Sequence, residues 1–109
     1  MEHDPHQRPP WVDCLGEEDL AFVKRFVLAS GSLKEMAKAY GITYPTVRLR
    51  LDRLIEKIKV VDDPKITSEF ERLARARYAE GKIDLQTLKL LLTAHQQELE
   101  NRHEMPPGQ

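Results

Sequence analysis

The sequence predicts an all-α fold: a helix plus helix-turn-helix domain followed by a C-terminal helical hairpin. Three observations predict it. Apolar residues recur at the helical period in each structured stretch, and none of the stretches alternates as a strand would. Ser, Thr, Asp and Gly stand at the stretch ends, where helix caps need them. Two of the stretches are joined by a tight turn at a single glycine, Gly41.

Residues 1–10 hold three prolines and two histidines and too little apolar surface to fold alone, which predicts a disordered lead-in pinned to the core by Trp11 and Val12. Gly16 then caps a helix over 17–29, with Glu17, Glu18 and Asp19 at its positive end. Leu20, Phe22, Val23, Phe26, Val27 and Leu28 cover more than one face, so this helix is expected to be the central, most buried one. Ser30-Gly31 ends it. Ser32 and Glu35 form a capping box that starts a short helix, which Gly41 stops. Thr43 caps the third helix, with Pro45 in its first turn. Val47, Leu51, Leu54, Ile55 and Ile58 make its buried stripe, to about Lys59.

Asp62-Asp63-Pro64 breaks the pattern, and residues 60–65 read as a linker. A hairpin follows at 66–100. Ser68 and Glu71 make a second capping box, Phe70, Leu73, Ala74 and Tyr78 give one apolar face, and Gly81 stops that helix. Asp84 caps the last helix, with Ile83 and Leu88 placed as a hydrophobic staple. Leu85, Leu88, Leu92, His95 and Leu99 form its inner stripe, with Leu91 beside it. Residues 101–109 read as a disordered tail. The helix-turn-helix domain is thereby bounded at 11–59.

With 109 residues, 40 % apolar and 32 % charged, the chain has room for a few helices but little for an enclosed substrate cavity. No phosphate loop, nucleophile–base pair or carboxylate dyad is visible, so an enzyme is not expected. No apolar run reaches the roughly 18 residues of a membrane span, and the start resembles no leader, so the expectation is a cytoplasmic protein. The formal charge of −1 hides an asymmetry. Residues 33–59 carry seven cations against three anions, a basic block of +4, while residues 1–20 carry one against six. Affinity for phosphate comes from such clustering, so the block is where a function is sought.

Spacing within the block is that of a helix-turn-helix. Counting from Leu33, a small residue (Ala37) falls fifth, glycine (Gly41) ninth, and apolar residues (Ile42, Val47) tenth and fifteenth. Ala37 lets the helices approach, Gly41 takes positive φ, and Ile42 and Val47 bury the corner. Stepping 100° per residue from the buried stripe puts Pro45, Thr46, Leu49, Asp52, Arg53 and Glu56 outward, with Arg48 and Arg50 at the shoulders. Thr43, Tyr44 and Thr46 suit phosphate or base edges, and Arg48, Arg50 and Arg53 supply charge, one or two of them able to fork onto guanine. Leu49 fits a thymine methyl, another protein, or no role. Lys34 and Lys38 fit phosphate contacts or plain solvation.

The stretch WVDCLGEEDLAFVKRFVLASGSLKEMAKAYGITYPTVRLRLDRLIEKI resembles, over about residues 11–59, the uncharacterised bacterial family catalogued as domain of unknown function 2089. The distinctive core is SGSLKEMAKAYGITYPTVRLRLDRLI. The resemblance implies a small protein of transcription-regulator type; it brings no activity with it. The segment is also similar in type to the promoter-binding fourth region of sigma factors. Many members of the family look like they carry a cysteine-rich zinc ribbon ahead of this segment. Here only Cys14 precedes the basic block, so zinc is not carried over. Residues 68–99 are similar to a short C-terminal hairpin domain of bacterial proteins through Gly81, Ile83, Asp84, Leu88, Leu91 and Leu92. Such hairpins resemble oligomerisation or docking modules. Thirty residues seldom bury enough apolar area alone, so the hairpin needs a partner, the first domain or another chain, and Leu85, Leu88, Leu91, Leu92 and Leu99 are the expected oligomerisation surface. A homodimer would place two reading helices on two half-sites.

The remaining polar constellations carry little. Met1-Glu2-His3 matches a planar nitrogen set for Cu(II) or Ni(II), a match that one histidine also makes by chance, and His3, His6 and Asp4 are too few for a fixed site. No metal or other cofactor is assigned. His95 on the leucine stripe reads as a satisfied, half-buried histidine, and Cys14 as an inert thiol. Two functions therefore stand: a transcriptional regulator that reads DNA with the helix over 43–59, or a protein-interaction adaptor of the transcription machinery or of another regulator, which does not itself bind DNA.

Overall fold

The computed structural model describes residues 9–104 of the chain. Six helices follow one another: α1 (Pro10–Asp13), α2 (Glu17–Leu28), α3 (Leu33–Tyr40), α4 (Tyr44–Asp62), α5 (Glu69–Ala79) and α6 (Leu85–Glu104). The described residues form an all-α fold without a strand. His3, His6 and Asp4, with most of the expected lead-in and the last residues of the expected tail, lie outside the described residues.

Most helix ends follow the caps expected of them. The Ser32, Thr43 and Ser68 hydroxyls accept from the amides of Glu35, Thr46 and Glu71, and Asp84 accepts from Thr87 at 2.7 Å. Both capping boxes form on one side only. The Ser32 amide donates to Ala29 O at 3.0 Å, and the Glu71 carboxylate is taken by Arg75 Nε at 3.0 Å. At the end of α2 it is Ser30 (φ 53°) that first turns left-handed, ahead of Gly31 (φ 78°). A short helix, α1, forms where only a pinned end was expected. Pro10 starts it with a fixed φ, and Leu15, just beyond it, is buried.

Two clusters carry the core. The first joins Leu15, Phe22, Leu33, Met36, Ala37, Val47 and Leu54, with Trp11, Phe26, Tyr40, Leu51 and Ile58 packed against it. The second, inside the hairpin, joins Ala74, Tyr78 and Leu88, with Ile83, Leu91 and Leu92 around it. The expectation that the helix at 17–29 is central does not hold. Only Phe22 of α2 is fully buried, while Val27 and Leu28 are 67 % and 73 % exposed. A three-helix domain of this size cannot surround one of its own helices. The central element is α4, which meets α1, α3 and α5.

Helix α4 also runs three residues past the expected end at Lys59, reaching Asp62. The Asp63 carboxylate accepts from the Lys65 amide (2.9 Å) and Ile66 is buried, so the connection to α5 is ordered. Arg72 explains the extension: its guanidinium donates to Val60 O on the last turn of α4 and to Ile66 O, the latter at 2.6 Å.

The hairpin docks along α4 within the same chain. Arg75 Nη1 lies 3.0 and 3.1 Å from the two Glu56 oxygens. Partial desolvation opposes the charge of Arg75, but the hydrogen bonds to Glu56 and Glu71 outweigh it and raise its pKa. Arg53 Nη1 donates to Tyr78 O (2.5 Å) and Ile83 O (3.4 Å), with its guanidinium 4.9 Å from the Tyr78 ring centre. Burial, then Asp52, pushes the Tyr78 hydroxyl pKa up. The hairpin's apolar face is split by this docking. Ala74 and Tyr78 are buried as expected, but Phe70 (42 % exposed) and Leu73 (55 %) are not. Helix α5 has neighbours on two sides only; Leu73 points to the third, and Phe70 lies at its edge with its ring against His95 of α6.

Two predictions follow from the docking and the cap. Arg53→Ala lowers the urea midpoint by the equivalent of about 1–2 kcal/mol, since a charged, half-buried donor to two carbonyls is lost. Arg53→Lys recovers only part, lacking the planar fork. An unchanged midpoint for the alanine variant contradicts the docking role. For Asp84, hydrogen bonds from the Thr87 amide and hydroxyl hold the carboxyl below the usual carboxylate range. A depressed folded-state pKa means that this cap stabilises fully above the unfolded carboxylate value, about 3.9, and is lost as pH falls through the lower folded value. Amide exchange at Thr87 therefore speeds up in acid. Asp84→Asn, which keeps an acceptor without titrating, flattens that dependence.

Candidate nucleic-acid interface

The corner between α3 and α4 is built by backbone chemistry. Gly41 sits at φ 67°, ψ 33°, its amide bonded to Lys38 O (3.2 Å), while the Ile42 amide bonds to Ala37 O (3.0 Å). These two bonds satisfy the last carbonyls of α3 in the pattern of a Schellman cap. A side chain at position 41 meets no atom within 4 Å, so the position selects glycine through φ alone, at roughly 1 kcal/mol. Val47 is fully buried beneath the corner, next to Ala37 and Met36. Three residues after the glycine, Tyr44 begins α4 with Thr43 as its cap and Pro45 in its first turn. The Thr43 and Thr46 hydroxyls lie 2.9 Å apart at the tip.

Thr43, Tyr44, Pro45, Thr46, Arg48 and Leu49 are all exposed and share the leading half of α4. Lys34 and Lys38 are exposed on α3, the helix that precedes the turn. Arg48 is held over the helix surface by Asp52 (3.3 Å), yet half its side chain remains open to solvent. An exposed i,i+4 pair of this kind is worth only a few tenths of a kcal/mol, so Arg48 can leave Asp52 for a phosphate or a base.

The other two arginines are placed differently from the sequence expectation. Arg50, expected at an open shoulder, lies over the Phe22 ring (5.1 Å) and the Tyr40 ring (5.8 Å), and donates to Glu18 O at 3.4 Å. Phe22 and Tyr40 are themselves stacked, centroids 6.4 Å apart, and Arg25 caps the Tyr40 ring from α2. Arg53, expected outward, is turned to the hairpin. Glu56, also expected outward, is bound by Arg75. For Arg53 and Glu56 the helical wheel is right about angle and silent about neighbours: the trailing half of the outward face is covered by α5, whereas Arg50 is taken up by α2 and α3. Of the proposed contact residues, the structure leaves Thr43, Tyr44, Pro45, Thr46, Arg48 and Leu49 exposed at the start of α4 and Lys34 and Lys38 exposed on α3, and withdraws Arg50 and Arg53 into packing roles.

Of the leucines expected to oligomerise, Leu88 is buried inside the hairpin, and Leu91 and Leu92 pack on the same cluster. Leu85 and Leu99 remain partly exposed, at 43 % and 38 %. His95 is satisfied as expected: Nε2 is 2.9 Å from Ser68 Oγ and the ring lies against Phe70, centroids 4.7 Å apart. Cys14 donates to Trp11 O (2.8 Å) and is half-buried. Among the described residues, no helix is long and apolar enough to cross a membrane.

No curated protein and no solved structure shows significant similarity to the chain. Residues 15–61 match the family model described as domain of unknown function (DUF2089)-HTH, a span that starts at the buried Leu15 and ends within the last turn of α4. The match takes in the whole corner and every residue of the exposed leading face. With the turn geometry and this match agreeing, residues 15–61 are a helix-turn-helix domain of the DUF2089 family.

Proposed function

We propose that the chain binds duplex DNA through the leading half of α4 and acts in transcriptional control as a non-enzymatic regulator. One observation carries the proposal: the exposed face of Thr43, Tyr44, Pro45, Thr46, Arg48 and Leu49, standing on a helix-turn-helix corner with Lys34 and Lys38 exposed on the preceding helix. Docking of the hairpin is compatible with it. From Tyr44 to Arg53 the helix advances about 13 Å, and the major groove is about 8.5 Å deep, so the two leading turns enter before the hairpin meets the duplex. Short polar groups at the tip suit phosphate and base edges, Arg48 suits guanine, and the lysines suit the flanking backbone. The positive charge is concentrated on few residues, which points to weak binding by one head and useful affinity from two, so the protein is proposed to act as a homodimer.

Arg48→Ala with Lys34→Ala weakens duplex binding in a gel shift by about 10-fold or more, with the helical circular dichroism intact. Wild-type affinity falls with salt at a log–log slope of about −3.6, as expected for about four phosphate contacts, two lysines from each head. Arg53→Ala leaves that slope unchanged. If no salt-dependent DNA affinity exists and a protein co-purifies through Tyr44 and Leu49, the adaptor reading replaces this one.

A further inference from the structure

The hairpin presents a second apolar surface, distinct from the leucine stripe that its own core consumes. A groove of about 150 Å³ runs between α5 and α6, lined by Phe70, Leu73, Ala74, Arg77, Ile83 and Leu91. Phe70 and Leu73 are 42 % and 55 % exposed on its α5 wall. None of these residues faces α4, whose contact with the hairpin runs through Arg53, Glu56, Arg72 and Arg75. Apolar patches of a few hundred Å² on a small protein mark interaction surfaces.

The charges on this face identify its occupant. Glu69, Leu73 and Arg77 follow one another at intervals of four, so they form one line along α5. Glu69 has no ion-pair partner among the described residues, and Arg77 holds only Glu80, at 3.3 Å and largely exposed. Leu73 lies midway between the acid and the base. A two-fold axis through Leu73 that sets α5 antiparallel to its copy therefore brings Glu69 opposite Arg77 of the partner subunit, and Arg77 opposite Glu69 of the partner subunit. Leu73 then meets its own mate, flanked by Phe70. An isologous interface needs a patch complementary to itself, and this patch is.

We propose that a second copy of this chain covers the Phe70–Leu73–Leu91 face, joining two hairpins into a four-helix bundle. The inference rests on the homodimer proposed above and locates its interface. It assumes nothing about DNA. Helix α5 is about 16 Å long, so the face lies at the small end of specific interfaces, and the dimer is expected in the micromolar range.

The test is the mass of the full chain by light scattering and sedimentation across 1–300 μM, roughly the range over which such an affinity titrates. Wild type passes from monomer to dimer. Leu73→Glu stays monomeric with unchanged circular dichroism, whereas Leu28→Glu, on the exposed face of α2, dimerises like wild type. Glu69→Arg alone and Arg77→Glu alone each weaken the dimer several-fold, and the two together restore it. A monomer throughout overturns both the homodimer and this surface. A dimer that tolerates Leu73→Glu, or that the double charge reversal fails to restore, overturns the surface alone. A trimer or larger assembly overturns the two-fold arrangement.

Discussion

Helix α4 has to satisfy four neighbours, α1, α2, α3 and α5, with one cylinder, and the rest of the molecule is arranged around how it does so. Its inner stripe, Val47 and Leu54 with Leu51 and Ile58, closes the small core made with α1, α2 and α3. Its outer face is divided along its length. The trailing half is bound by α5 through Arg53 and Glu56, and the leading half, from Thr43 to Leu49, is left open. The length of α4 makes the division possible. Nineteen residues span about 28 Å, more than one three-helix domain needs to close its core.

The docking is polar at its edges and apolar in the middle. Tyr78, fully buried, supplies the apolar centre, and Arg53, Arg72 and Arg75 bond around it to backbone carbonyls or to Glu56. Guanidinium groups suit this task, because several donors in a fixed plane can bridge the end of one helix to the side of another. Arginines that look in sequence like a nucleic-acid surface are in part the joints of the protein. That leaves a small set of cations, chiefly Lys34, Lys38 and Arg48, for any external anion, and it makes geometry at the tip of α4 more important than total charge.

Much of the fold is legible in the sequence, and the reasons are local. Ser32, Thr43, Ser68 and Asp84 announce helix starts through side chains that bond amides three residues on, and Gly41 announces a turn that other residues enter only with strain. The helix-turn-helix spacing depends on such local signals, so its corner is read correctly at Gly41 and at the buried Val47, while Ile42, expected to be buried beside it, is 38 % exposed. The candidate site is half legible. A helical wheel places Thr43 to Leu49 outward, where they are, but it places Arg53 and Glu56 outward too. Their partners lie 19 to 30 residues away, and nothing in their own neighbourhood marks them.

The sequence by itself determined where most of the helices begin, that two of them form a helix-turn-helix, and which side of α4 faces the core, because caps, turns and periodicity act within a few residues. Tertiary structure alone decided which helix is central, which arginines are free, and which leucines remain on the surface. Those outcomes depend on long-range packing. Leu88 became core and Leu73 stayed open because α5 meets α4 and α6 and nothing else on its third side among the described residues.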